Sequence, residues 1–177
     1  TATFWLLKIL ATTLGETGGD ALSMSMNLGY LLSTVIFGAV FIVFVAAQVR
    51  ADRFRPGLYW ATIIASTTVG TTMADYATRS IGIGYPGGSL LLLALLGASL
   101  WIWYRDTGTL DVSSVSSDKS ERYYWVTIMF SQTLGTALGD WTADTAGLGY
   151  GGGVVVFAVL LALIAAAYFF TRISRVG

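Results

Sequence analysis

Three aspartates, Asp20, Asp75 and Asp140, stand in matching surroundings: each lies five residues after a glycine (Gly15, Gly70, Gly135) and nine before a Gly-Tyr pair. The stretches TLGETGGDALSMSMNLGY (13–30), TVGTTMADYATRSIGIGY (68–85) and TLGTALGDWTADTAGLGY (133–150) align without a gap, and Phe4-Trp5, Tyr59-Trp60 and Tyr124-Trp125 extend the match upstream. Carboxylates embedded in apolar sequence are hard oxygen donors, suited to a proton, Na⁺, Mg²⁺, Ca²⁺ or Mn²⁺. The chain has no histidine and no cysteine, which excludes thiolate chemistry, disulfides, the usual zinc or copper sites and the ordinary near-neutral switch. Chemistry is left to carboxylates, hydroxyls, amides, Met, Lys and Arg.

Stepping by four residues keeps to one helical face and gives five layers with one residue per repeat. They read Lys8, Ile63, Ile128; Thr12, Thr67, Gln132; Glu16, Thr71, Thr136; Asp20, Asp75, Asp140; and Met24, Arg79, Asp144. This polar stripe predicts a central cation site on Asp20, Asp75 and Asp140, with Glu16 on one side and Asp144 on the other. Thr12, Thr67, Thr71, Gln132, Thr136 and Met24 would line it. Arg79 is read as a gate or counter-charge, pairing with Asp75 one turn earlier or with Asp144 across the bundle. Three clustered carboxylates cannot easily all ionise without compensation, so a divalent cation (Mn²⁺, Mg²⁺ or Ca²⁺) held by the three aspartates is favoured. No other cofactor is expected.

Two rival functions come from the same residues. The aspartates could be inter-repeat staples in a structural or assembly subunit, although the unequal Glu16, Arg79 and Asp144 are not what a symmetric staple needs. An intramembrane aspartyl protease is suggested by Leu138-Gly139-Asp140, but the Tyr-Asp partner and Pro-Ala-Leu element of that class are missing. The leading expectation is a membrane transport protein for a hard cation, not an enzyme.

The elements that must position these residues are helices in a bilayer. Of 177 residues 55% are hydrophobic and only 11% charged, with mean hydropathy +0.70, against about 25% charged in a soluble domain. A spanning helix needs roughly 20 mainly apolar residues, and six stretches come near this: 3–26, 31–49, 58–81, 89–104, 123–146 and 153–171, the fourth being short. Tight Gly-Tyr turns (27–30, 82–88, 147–152), a charged loop (50–57) and a polar loop (105–122) separate them. The first stretch contains Lys8, Glu16 and Asp20 and lacks a basic leader and a small-residue cleavage site, so it is expected to be mature structure.

Eight of the ten basic residues, Arg50, Arg53, Arg55, Arg105, Lys119, Arg122, Arg172 and Arg175, fall at one end of the helices. The positive-inside rule then puts both termini in the cytoplasm. Trp5, Trp60 and Trp125 fit an aromatic belt on that side, and Lys8 is expected to snorkel there. Two spans per repeat make successive repeats parallel, related by an axis along the membrane normal. The expected fold is all-α: one membrane domain of three two-helix repeats (about 3–50, 58–104 and 123–172) with pseudo-threefold symmetry, odd helices lining the centre and even ones facing lipid. The glycines are read chiefly as sites of close helix approach. With zero net charge, no nucleic-acid partner is expected, and the partners are the bilayer and an inorganic cation.

The T-x-G-x4-D-x8-G-Y pattern with its upstream F/Y-W pair resembles, over essentially the whole chain, a family of bacterial six-helix membrane-anchored proteins described as uncharacterised. The resemblance implies a bacterial inner-membrane location and no particular activity. Three two-helix repeats are also similar in architecture to mitochondrial carriers. Those carry a Pro-centred signature, whereas the only prolines here are Pro56 and Pro86, so the likeness stops at architecture.

Overall fold

The computed structural model describes residues 2–112, 115, 117–145 and 147–170, and Arg172 and Arg175 lie outside them. The described residues form six α-helices and no strand: α1 (Ala2–Asp20), α2 (Tyr30–Val49), α3 (Pro56–Asp75), α4 (Gly84–Thr107), α5 (Asp118–Asp140) and α6 (Gly149–Phe170). Each odd helix runs directly into one π-helical turn after its aspartate: π1 (Ala21–Ser25), π2 (Tyr76–Ser80) and π3 (Trp141–Thr145). The Gly-Tyr turns follow. Gly29, Gly84 and Gly149 have φ of +77°, +67° and +62°, and the residues two before them, Asn27, Gly82 and Gly147, are also left-handed. Glycine adopts that region freely and asparagine tolerates it, which is why a Gly-to-Asn exchange leaves the first turn unchanged.

Helices α2, α4 and α6 are long and apolar enough to cross a membrane. The fourth span is longer than the sequence reading allowed, because α4 continues through Gly84-Tyr85-Pro86. Pro86 sits in the first turn, where its missing N–H breaks no helical bond. Much of the apolar surface of these helices is open: Leu163 is 61% and Ile164 66% exposed on α6. Exposure of that extent on consecutive helices is the mark of a chain whose solvent is lipid. Helices α1, α3 and α5 carry the polar residues and are less apolar.

The packing does not treat the three repeats alike. Helix α3 is the centre, closely packed by α1, α2 and α5, while α4 packs on α5. Repeat 1 thus presents α1 and α2 to α3, and repeat 2 presents α3 and α4 to α5. The third seam, which would bring α5 and α6 onto α1, is not closed: α1 barely touches either helix. The aromatic pairs repeat this rule, with Phe4 against Trp60 (5.6 Å) and Tyr59 against Trp125 (5.8 Å), while among the described residues the third link, Tyr124 to Trp5, is not made. The odd helices are not equally buried: α3 is covered along most of its length, whereas α1 exposes Leu6, Ile9, Leu10 and Leu14.

Small residues make the two closed seams. A Cβ on Gly15 would lie 2.8 Å from Thr67 Cβ and 2.9 Å from the Ile64 carbonyl, and one on Gly70 3.1 Å from Thr133 Oγ1. Their equivalent Gly135 faces open space, as do Gly18 and Gly139. Gly15→Ala should therefore cost about 1–3 kcal/mol by forcing α1 off α3, whereas Gly18→Ala should be neutral or gain up to about 1 kcal/mol from helix propensity. Thermal unfolding of the two variants in one detergent checks this.

At the basic end, Ala11, Phe41, Ile63, Ala65, Val69 and Trp125 form an apolar plug. Trp125 is 1% exposed and its indole N–H donates to Glu121 Oε1 at 3.3 Å. It belongs to the core and not to a belt; Trp5, 64% exposed, keeps the surface position expected of all three. Lys119 Nζ, 2.6 Å from Asp106 Oδ2, ties the ends of α4 and α5.

Candidate functional site

Asp75 is the last residue of α3 and is buried. Arg79, four residues on in the π turn that follows, reaches back to it, with Nε 2.8 Å from Asp75 Oδ1. The same guanidinium reaches repeat 3, its Nη2 lying 3.2 Å from Asp140 Oδ2 and 3.6 Å from Asp144 Oδ2. Tyr85, of the second Gly-Tyr pair, donates its hydroxyl to Asp144 Oδ2 at 2.5 Å, and its ring lies 5.5 Å from the Arg79 guanidinium carbon. Arg79 thus makes both pairings foreseen for it, with Asp75 and with Asp144, and adds Asp140.

Beside this cluster lies a cavity of about 240 Å³. It gathers the whole Glu16, Thr71, Thr136 layer, the whole Met24, Arg79, Asp144 layer, and Asp20 and Asp140 between them, with Tyr150 added from α6. Asp75 lies behind Arg79 and does not line it. One layer nearer the basic end is a polar floor that does not itself line the cavity: Thr67 donates its hydroxyl to Gln132 Oε1, and Ser66 reaches the same oxygen at 3.4 Å. Thr12, expected in this layer, turns away and donates to the Lys8 carbonyl at 2.9 Å. Gln132→Met should remove the floor contact at a cost of about 0.6–1.7 kcal/mol, the range for interhelical polar pairs in membranes, read as a lower unfolding midpoint.

Glu16 and Asp20 differ from the other acids. Among the described residues neither has a hydrogen-bond or ion-pair partner, although both line the cavity. The lining sets Glu16, Asp20, Asp140 and Asp144 against the single cation Arg79. No group of three acidic side chains close enough to hold a metal ion occurs among the described residues, and Asp20, Asp75 and Asp140 are not gathered into one. Two physical reasons account for this. The guanidinium stands between Asp75 and Asp140, at distances suited to N–H donors and not to oxygens converging to about 2.0–2.6 Å on one ion. The open third seam also holds α1, with Asp20, away from α5.

That seam is itself a cleft of about 420 Å³, with Glu16 on the α1 side, Gly135, Gly139 and Asp140 on α5, and Val154 and Phe157 on α6. It shares Glu16, Thr136, Asp140 and Tyr150 with the acidic cavity. Tyr85 and Tyr150, in segments that the sequence marks only as turns, join the site as well. Their fixed distance from the aspartate was the available signal.

No curated protein and no solved structure matches the chain. The family described as Repeat of Unknown Function (DUF347) matches it over residues 3–54, 58–109 and 123–174, and the chain belongs to that family as three consecutive copies of its repeat.

Proposed function

We propose that this chain is a multi-pass membrane transport protein that carries a cation through the acidic cavity. One observation carries the reading: exposed Glu16 and half-buried Asp20 line a cavity between the repeats with no hydrogen-bond or ion-pair partner among the described residues. An unpaired carboxylate in a bilayer costs about 2.5–3.5 kcal/mol on insertion scales, so two of them retained there argue for an occupant that supplies positive charge. In this proposal all six helices span a bacterial inner membrane, the polar odd helices being shielded by the even ones. The basic ends are cytoplasmic, the Gly-Tyr turns face outward, and the repeats form a threefold array with one seam left open. The Thr67–Gln132 floor and the apolar plug close the cavity on the cytoplasmic side, and Asp144 stands toward the outer side. A divalent ion such as Mn²⁺, Mg²⁺ or Ca²⁺ would have to bring water to replace missing carboxylate ligands.

The staple reading has its own support in Arg79, which ties repeat 2 to repeat 3 through Asp140 and Asp144. It accounts for those residues and leaves Glu16 and Asp20 without a role. Reconstitution into proteoliposomes separates the two. Asp20→Asn and Glu16→Gln should each abolish cation uptake while preserving the folded state. Uptake indifferent to both substitutions would leave only the staple.

A further inference from the structure

The hydroxyls of α3 nearly all have partners. Thr62, Thr68 and Thr72 donate to the carbonyl four residues earlier, at 2.8, 2.9 and 3.3 Å, Ser66 to the one three earlier at 2.8 Å, and Thr67 to Gln132 Oε1 across the seam. Thr71 breaks the pattern. It is 2% exposed, its Oγ1 has no hydrogen-bond partner, and its side chain lines the acidic cavity. A buried hydroxyl left unpaired is costly and calls for a partner outside the protein.

The surroundings define that partner. Glu16 and Asp20 offer acceptors and charge. The volume of about 240 Å³ equals that of roughly eight waters at ~30 Å³ each, far more than a dehydrated metal ion fills. The acid layer already accommodates one organic cation, the Arg79 guanidinium, through N–H contacts. Sideways, the cavity shares Glu16 and Tyr150 with the third-seam cleft, whose α6 wall is Val154 and Phe157. A ligand filling both spaces has a cationic N–H head group and an apolar body. Building on the cation-transport reading, we infer that the occupant is an amphipathic organic cation, an alkylguanidine or alkylamine. Its head group lies between Glu16 and Asp20, one N–H donates to Thr71 Oγ1, and the alkyl chain lies along α6 in the open seam.

Titration calorimetry on the full chain in nanodiscs, with hexylguanidinium, guanidinium, hexanol and Mn²⁺ as probes, tests this. Hexylguanidinium should bind, at least tenfold more tightly than guanidinium, and hexanol should not. Thr71→Val should weaken hexylguanidinium roughly tenfold, the equivalent of one lost hydrogen bond, and Thr71→Ser should restore it. Thr72→Val, on the same helix but with a hydroxyl already bonded, should leave binding unchanged. Phe157→Ala should weaken hexylguanidinium and spare guanidinium. Binding of Mn²⁺ but not of hexylguanidinium would overturn the inference and leave cation transport standing. Equal binding by Thr71→Val and wild type would overturn the head-group placement. Absence of any cation binding, together with uptake indifferent to Glu16→Gln, would remove both.

Discussion

Arg79→Gln should lower the stability of the folded chain by about 3 kcal/mol, at the lower end of the 3–5 kcal/mol typical when one partner of a buried ion pair is removed. The lower end applies because the Arg79 side chain is 32% exposed while that of Asp75 is 2% exposed. Most of the penalty falls on Asp75, which would be left charged and enclosed, and on Asp140, which would face Asp144 without the intervening guanidinium. Two companions test the account. Arg79→Lys keeps the charge but cannot reach three carboxylates at once, so it should recover only part of the loss. Asp75→Asn combined with Arg79→Gln should cost less than the sum of the single changes, since each single variant leaves the other partner stranded. Unfolding midpoints in a detergent titration give all four values. An Arg79→Gln midpoint within about 0.5 kcal/mol of wild type, the scatter of ordinary surface changes, would mean that the cluster holds nothing together.

Much of this site could be read from spacing alone. Stepping by four from Asp20, Asp75 and Asp140 reached Glu16, Thr71, Thr136, Met24, Arg79 and Asp144, all of which line one cavity, because side chains at that interval share a helical face whatever the helix packs against. The Gly-Tyr turns were equally plain, since a positive φ leaves glycine or asparagine as its trace. The π turns left none, because moving a helix from i→i+4 to i→i+5 bonding changes no residue type. The direction of the Thr12 hydroxyl was illegible for a related reason. A threonine hydroxyl can satisfy itself on its own helix, so its position on the stripe does not fix where it points.

The open seam was the least legible feature, because three similar repeats imply three similar interfaces. One residue difference at the seam supplies a physical reason for it. At the first seam Gly19 of repeat 1 packs against Thr71 of repeat 2, with its Cβ position 3.3 Å from Thr71 Cβ. The corresponding contact at the third seam would be Gly139 of repeat 3 against Glu16 of repeat 1, and there the threonine is replaced by a longer, charged side chain. A carboxylate cannot be pressed against helix backbone in an apolar span without a partner, so the seam stays apart and Gly139 faces open space.

Glu16→Thr should therefore close what wild type keeps open. Removing one unpaired carboxylate from the span and letting α5 approach α1 should raise stability by about 1–2 kcal/mol, less than the insertion cost of a charge at the bilayer centre because Glu16 is exposed in the open seam. Cation uptake should be lost at the same time, since the cleft and one acceptor of the cavity disappear together. A gain in stability accompanied by loss of transport is the signature of a residue kept for function at the expense of packing. A purely structural Glu16 would give the opposite sign on the first measurement. Glu16→Asp, which keeps the charge, should leave the seam open and retain part of the uptake. Unfolding midpoints and proteoliposome uptake on the same three proteins decide between these outcomes, and an unaltered Glu16→Thr midpoint with full uptake would sever the link between the open seam and the cation path.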